Sequence, residues 1–210
     1  GESFLPVLDG MHGPDAPVRF IPARHEAGAA NMAIATAKLT GRLGVAMVSR
    51  GPGAFHAAIG VHTAPQDSTP LLLLIGQIAR VDRDREAFQE VEYRQAFGGM
   101  AKWVSEIDQP ERIPELIARA ASVALGGRPG PVVLALPEDI LMEAVAAAPI
   151  AAAAPAPPAP DAAALAEAAR LIAGAERPIA LIGRMGWTPA ALAALLALSE
   201  RTGLPLATGF

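Results

Sequence analysis

Cysteine is absent from the 210 residues of this chain. Its absence excludes disulfides, thiolate nucleophiles, iron–sulfur clusters and cysteine-based zinc sites. Charged residues are also scarce, at 18%, and the formal net charge is −4, so a basic surface for nucleic acid is not expected. Aromatic residues make up only 4%, yet hydrophobic residues make up 52%, which is typical of a globular chain whose core consists of small apolar side chains.

No run of the sequence predicts a membrane-spanning helix. The longest uncharged stretch, residues 144–160, consists mainly of alanine and proline, and its prolines would interrupt any such helix. The first residues contain no basic-then-apolar leader. We therefore expect a cytoplasmic protein with no membrane partner and no nucleic-acid partner. The chain begins at Gly1 without methionine, which suggests a piece of a longer polypeptide.

Short apolar runs alternate with longer segments rich in small residues. The predicted strands are apolar on both faces, as helix-covered parallel strands require, and cover residues 18–21, 45–48, 71–75, 132–136 and a further run at 101–105. The predicted helices between them include 27–39 and 113–124. This alternation predicts an α/β fold with a doubly wound, mainly parallel sheet and helices on both faces.

A change of composition divides the chain. Residues 1–146 form the predicted first domain, and the alanine- and proline-rich residues 147–160 form a predicted linker. Residues 161–210 predict a second α/β domain: a helix from its cap Asp161 to Gly174, a strand at 178–182, a helix at 189–201 and a strand at 205–208. Two βα units cannot cover both faces of a sheet, so this second domain is expected to be truncated.

The segment 24–33, RHEAGAANMA, places the carboxylate of Glu26 at the start of a predicted helix. The strand predicted at 18–21 would deliver it to the carboxyl edge of the sheet, where open α/β sheets bind ligands. The residues after Glu26 are nearly all Ala, Gly or Met, which predicts apolar surroundings and a raised pKa for a group active in proton transfer. The alternative is that Glu26 only complements the helix dipole.

The segment 45–56, VAMVSRGPGAFH, predicts a strand, a glycine loop and a helix start. Backbone N–H groups at such a helix start can bind an anion or a cofactor. The pattern is not the dinucleotide-binding fingerprint, because His56 occupies the third glycine position and the next strand leads into Gly76 and Gln77 instead of an acidic ribose ligand. The alternative is a tight turn that needs glycine for its dihedral angles.

Residues 80–90 carry mixed charges without periodicity, which predicts a long exposed loop. Such a loop is either merely solvated or covers a site. Apolar Phe88, together with the carboxamides of Gln77 and Gln89, is the only indication of a pocket there.

The four histidines, at positions 12, 25, 56 and 62, include no pair at a helical metal-ligand spacing such as HExxH. We therefore predict no metal site from these residues. The sequence contains neither a Walker loop nor a GxSxG nucleophile elbow.

Six segments in order resemble the pyrimidine-binding domain of thiamine-diphosphate-dependent enzymes, in particular the acetolactate synthase-like branch. They extend over residues 1 to about 146 and read RHEAGAANMA at 24–33, SRGPGA at 49–54, DSTP at 67–70, GQ at 76–77, AFQE at 87–90 and GRPGPVVL at 127–134. Residues 161–210 are similar to the beginning of the family's central domain. One segment alone would be a weak indication, whereas six in order are specific.

The resemblance implies roles for individual residues. Glu26 would hydrogen-bond N1′ of the cofactor's aminopyrimidine ring and activate the cofactor by sharing its proton. Pro52 and Gly53 would line that ring, and His56, where the family usually has asparagine, would donate a hydrogen bond to it. Gln89 would contact the cofactor, and Phe88 would line the substrate pocket over the reacting carbon.

The resemblance also implies thiamine diphosphate with magnesium as cofactor, a small 2-keto acid as substrate and a homo-oligomer, a dimer or tetramer, with the site between two subunits. The family's Gly-Asp-Gly segment, which holds the metal and the diphosphate, is not in this sequence, and the first domain is expected to be truncated at its amino end. Some members carry FAD against the central domain, where residues 183–186 would form the matching turn. The isolated chain is therefore expected to be inactive.

Two further interpretations stay open at this point. The first is a non-catalytic α/β module that only assembles with partner chains. The second, an NAD-binding Rossmann domain, is disfavoured by His56 and Gln77.

Overall fold

Four parallel strands form the sheet of the first part of the protein. The computed structural model describes residues 2–12, 18–156, 159–183 and 186–209, and it divides into two units, 1–156 and 157–210. The strands of the first unit lie in the order β1-β2-β4-β3, with the bounds β1 Gly44–Val48, β2 Leu71–Gln77, β3 Trp103–Glu106 and β4 Pro131–Pro137. The strands predicted at 45–48, 71–75, 101–105 and 132–136 are thereby confirmed within a few residues.

Helices cover both faces of this sheet. Their bounds are α1 Leu5–Gly10, α2 Glu26–Thr40, α3 Gly51–Gln66, α4 Tyr93–Phe97, α5 Ile113–Leu125 and α6 Glu138–Met142. Alternate residues of β2 face opposite ways: Leu71 and Leu73 pack into a core with α2 and α3, whereas Leu72 packs into a core with α5. The doubly wound α/β architecture predicted from the alternating pattern is confirmed.

The strand predicted at 18–21 is wrong. These residues form no strand in the structure, and Val18, Phe20 and Ile21 are each about half exposed, at 56%, 48% and 52%. A short apolar run has the composition of a strand, but a strand also needs a neighbour for its N–H and C=O groups. Pro22 lacks the N–H that would continue such a ladder, and within the described residues β1 pairs only with β2.

A close contact joins α2 to β1. A Cβ added to Gly44, the first residue of β1, would lie 2.2 Å from the carbonyl oxygen of Ala33 in α2. Helix α2 ends as its sequence predicts, because Gly41 adopts a left-handed conformation with φ of 66° and donates its N–H to Ala37.

The second unit is small and mostly exposed. It contains α7 Ala162–Gly174, β5 Ala180–Ile182, α8 Pro189–Thr202 and β6 Leu206–Thr208, with β5 and β6 parallel. Asp161 caps α7 as predicted, since its side chain accepts a hydrogen bond of 2.7 Å from the N–H of Ala164. Within its described part only Leu204 is buried. The turn at 183–186 includes residues 184 and 185, which lie outside the described residues.

Across the described ranges, every helix is too short or too polar to cross a bilayer.

Candidate functional site

Glu26 is the first residue of α2. His25 caps this helix, because its Nδ1 accepts a hydrogen bond of 3.1 Å from the N–H of Ala27. The carboxylate of Glu26 lies beside the first turn of α3, which follows the carboxyl end of β1. It therefore lies at the edge of the sheet at which parallel α/β proteins bind ligands.

The surroundings of Glu26 differ from the expected apolar ones. Its side chain is 35% exposed, and its pKa is lowered, not raised. A hydrogen bond to its own backbone is the main cause; burial acts in the opposite direction, and the hydrogen bond and charge of His56 lower the pKa further. The prediction of a raised pKa is wrong because residues that follow one another on a helix point in different directions, so the adjacent small residues do not enclose the carboxylate.

The turn between β1 and α3 contains two glycines that lie in close contact with neighbouring residues. Gly51 has φ of 29°, and a Cβ there would lie 3.2 Å from the backbone oxygen of Gln89. A Cβ on Gly53 would lie 3.2 Å from Cβ of Ser49 and 3.4 Å from Oε1 of Glu26. The absence of a side chain at position 53 therefore lets the start of α3 approach the carboxylate. Pro52, between them, is exposed.

His56 is brought directly to Glu26. Its Nδ1 lies 3.0 Å from Oε2 of Glu26, and its ring centroid lies 4.7 Å from that of His25. One turn further along both helices, a Cβ on Gly60 would lie 2.6 Å from Cβ of Ala30, so α2 and α3 are in close contact there. Close packing of the two helices therefore holds the carboxylate and the imidazole together.

The loop at 80–92 is fixed at several points. Glu90 accepts hydrogen bonds from the N–H groups of Asp84 at 2.8 Å and Ala87 at 3.1 Å, and these bonds, the one from Asp84 most, lower its pKa. Gln89 has φ of 65° and lies with its backbone against the glycine turn, whereas the side chain of Phe88 is 76% exposed. The structure thus brings Gln89 to the turn and leaves Phe88 on the surface of this chain.

Tyr93 is a site residue that the sequence did not reveal. Its hydroxyl accepts a hydrogen bond of 3.0 Å from the N–H of Gly51 and donates one of 3.3 Å to the carbonyl of Gly76. Burial raises the pKa of Tyr93, so the hydroxyl keeps its proton at neutral pH. Tyr93 thereby ties the glycine turn to the end of β2. The sequence offered one indication of this residue, since Tyr93 is the only tyrosine of the chain.

Arg50, immediately before the glycine turn, is buried and connects three segments. Its guanidinium donates to Glu2 at 3.0 Å and to Glu138 at 3.2 Å. A buried cation needs such partners, so the amino-terminal segment and α6 are held to the end of β1.

The part of the chain that forms this site also matches a known protein family. Residues 1–96 match the family described as thiamine pyrophosphate enzyme, N-terminal TPP binding domain. These residues contain the glutamate, the glycine turn and the loop that carries Gln89. Residues 1–96 belong to the thiamine pyrophosphate enzyme family. They are of the acetolactate synthase-like kind, as the resemblance of their motifs predicted.

Relatives of this thiamine pyrophosphate enzyme domain include several acetolactate synthases. The large subunit from Parasynechococcus marenigrum (strain WH8102) is 32% identical over 216 residues, covering 99% of this chain and 35% of the relative. The acetolactate synthase of Bacillus subtilis (strain 168) is 34% identical, covering 95% and 35%, and the isozyme 3 large subunit of Escherichia coli (strain K12) is 39% identical, covering 67% and 24%. The chain spans about a third or less of the length of these curated relatives.

Proposed function

We propose that this chain supplies the aminopyrimidine-binding half of a thiamine diphosphate site in an acetolactate synthase-like lyase or synthase that acts on 2-keto acids. The observation that carries the proposal is a partly exposed carboxylate, Glu26, held beside Gly53 at the carboxyl edge of a parallel sheet. When bound, thiamine diphosphate supplies a carbon nucleophile for the carbonyl of the substrate.

The residues of this chain fit such a ring. A Cβ on Gly53 would fill the space next to Oε1 of Glu26, so glycine keeps one side of the carboxylate open. Glu26 would hold a proton at the ring nitrogen N1′, and its partly exposed position leaves it accessible to a ligand. Pro52 and His56 would line the ring, Gln89 would contact the cofactor, and Phe88 would line the substrate pocket once a second chain covers it.

His56 has a role of its own in this arrangement. Its Nδ1 is hydrogen-bonded to Oε2 of Glu26, so His56 orients the carboxylate and leaves Oε1 on the side of the glycine turn. We propose that His56 acts on the cofactor through Glu26 as a positioning residue, in addition to any hydrogen bond that it donates itself.

The remaining cofactor contacts would come from outside the chain. We propose that magnesium and the diphosphate are held by a further domain of the complete enzyme, and that FAD, where it binds, lies against the completed central domain. A cytoplasmic location and the predicted absence of nucleic-acid and membrane partners stay predictions.

Replacing Glu26 with glutamine tests the proposal. In a cofactor-loaded enzyme that contains this chain and its diphosphate-binding domain, Glu26→Gln is expected to slow exchange of the C2 proton of thiamine diphosphate, and turnover of pyruvate, by at least about 100-fold. The amide keeps the size of the side chain and its ability to hydrogen-bond but cannot share a proton as the carboxylate does. Exchange is measured by quenched-flow proton NMR.

The matched control is Glu111→Gln, an exposed carboxylate on the turn before α5, which is expected to leave both rates unchanged. Unchanged rates for Glu26→Gln would remove the catalytic role and favour the non-catalytic assembly module. The isolated 210-residue chain serves as the blank, since it lacks the diphosphate-binding part and should show no turnover with pyruvate, thiamine diphosphate and magnesium.

A homo-oligomer is the second part of the proposal. Exposed apolar side chains lie on α2 and α3 near the site, namely Met32, Phe55 and Ile59, at 43%, 53% and 54% exposure. Exposed apolar side chains on the two helices that carry the half-site favour burial against a second copy of this chain.

Sedimentation velocity of this chain is therefore expected to show a concentration-dependent dimer. Ile59→Lys should return it to the monomer, because a charge would have to be buried in the contact. Leu39→Lys is the control: Leu39 is 86% exposed but lies 13 residues beyond Glu26 in α2, about 20 Å along the helix. A monomer at all concentrations would contradict an interface formed by this surface.

A further inference from the structure

Two imidazoles and one carboxylate meet at the start of α2 and α3. One ligand atom from each of His25, Glu26 and His56 lies within 4.8 Å of the other two. We propose that these three side chains form a binding site for a divalent transition-metal ion of the zinc type. The proposal rests on the juxtaposition of these donors and does not depend on the proposed cofactor role of Glu26.

The donor set decides which ion fits. Neutral imidazole and carboxylate together suit Zn²⁺ and its neighbours Co²⁺ and Ni²⁺, whereas Mg²⁺ and Ca²⁺ prefer oxygen ligands alone. Zinc bonds to nitrogen and oxygen are about 2.0–2.2 Å long, so ligand atoms around one tetrahedral ion lie roughly 3.4 Å apart. The three side chains therefore need to close by little more than 1 Å, which rotation of exposed side chains can supply.

The rings are already oriented by hydrogen bonds. His25 accepts at Nδ1 from Ala27, and His56 uses Nδ1 for Glu26, at 3.1 Å and 3.0 Å. A zinc ligand needs a lone pair on a ring nitrogen, so binding of the ion would replace the cap bond of His25 and the contact between His56 and Glu26. His25 is exposed and His56 is 55% exposed, so an ion can enter from solvent and keep a water ligand.

Two consecutive residues and one from the next helix thus form one site. The predicted absence of a metal site rested on spacing along the chain, and His56 comes from a different helix, 30 residues after Glu26. A bound ion would occupy Glu26, so the metal and an aminopyrimidine ring would exclude each other. This last consequence, inhibition of cofactor loading, rests on the proposed function, whereas the metal site itself does not.

Isothermal titration of the untagged chain with zinc chloride near neutral pH tests the inference. We expect one ion per chain and at least tenfold weaker binding for His56→Asn and for His25→Asn, since each removes one ligand. His62→Asn is the matched control, because His62 is exposed on the same helix as His56 but outside the cluster. Magnesium chloride should produce no saturable heat.

A second measurement needs no substitution. Zinc added to the ¹⁵N-labelled chain should shift the amide signals of Ala27 and Ala57, next to the ligands, before any others. Saturable binding that His62→Asn weakens as much as His56→Asn, equal binding of magnesium, absence of zinc binding, or shifts elsewhere in the chain would each overturn the inference. Failure of the proposed cofactor role would appear separately, in the C2 exchange rate of Glu26→Gln.

Discussion

Phe97→Ala is expected to lower the free energy of unfolding of the first unit by about 3–5 kcal/mol. Phe97 is completely buried in the core between the sheet and α3. Its ring centroid lies 6.2 Å from those of both Phe55 and Tyr93. Removing the ring would leave a cavity beside Tyr93, which holds the glycine turn. The expected loss of stability therefore combines lost burial of apolar surface with lost aromatic packing.

Phe88→Ala is the matched control for this change. Phe88 is 76% exposed, so its replacement should alter the free energy of unfolding by no more than about 0.5 kcal/mol. The chain has two tryptophans, Trp103 in the first unit and Trp187 in the second. Urea unfolding followed by Trp103 fluorescence in a Trp187→Phe background therefore reports the first unit. Equal losses for the two variants would contradict the assigned core.

Gly44→Ala is expected to cost about 3 kcal/mol of unfolding free energy. The new Cβ would lie 2.2 Å from the carbonyl oxygen of Ala33 and 2.7 Å from its carbon. Both are backbone atoms, so the clash cannot be relieved by a rotamer change, and α2 would have to move away from β1. The same urea measurement with Trp103 as the probe applies.

A control of opposite sign lies in α2, the helix that Gly44 contacts. Gly28 is inside α2, and a Cβ there would meet nothing within 4 Å. Gly28→Ala should therefore raise the free energy of unfolding by up to about 1 kcal/mol through helix propensity. A stable Gly44→Ala variant would mean that β1 and α2 are not in the close contact described.

The sheet could be predicted because its strands are buried on both faces. β4 is buried along all seven residues, and such a strand must be apolar throughout, so 132–136 was readable from composition. The run at 18–21 has similar composition but no pairing partner among the described residues, and pairing is a property of the fold that a short run does not encode.

The candidate site was predicted in part. Glu26 and the glycine turn were identified by the order of several segments, and the structure brings Gly53 to Glu26. The predicted pKa direction was wrong because the hydrogen bond of Glu26 to its own backbone mainly determines the shift, and because His56, 30 residues away, lowers the pKa further. Tyr93 was missed for a similar reason, since its partners Gly51 and Gly76 are 42 and 17 residues away.

The crossing of α2 and α3 at Ala30 and Gly60 has a consequence for the chemistry. Glu26 and His56 each lie four residues before these positions, about 6 Å along each helix axis. The distance between the Glu26 carboxylate and the His56 imidazole is thus determined by how closely the backbones of α2 and α3 approach each other one helical turn away. A single methyl group added at the crossing would separate the pair without touching either member, so natural variation there offers a route to adjusting reactivity while every reacting group is retained.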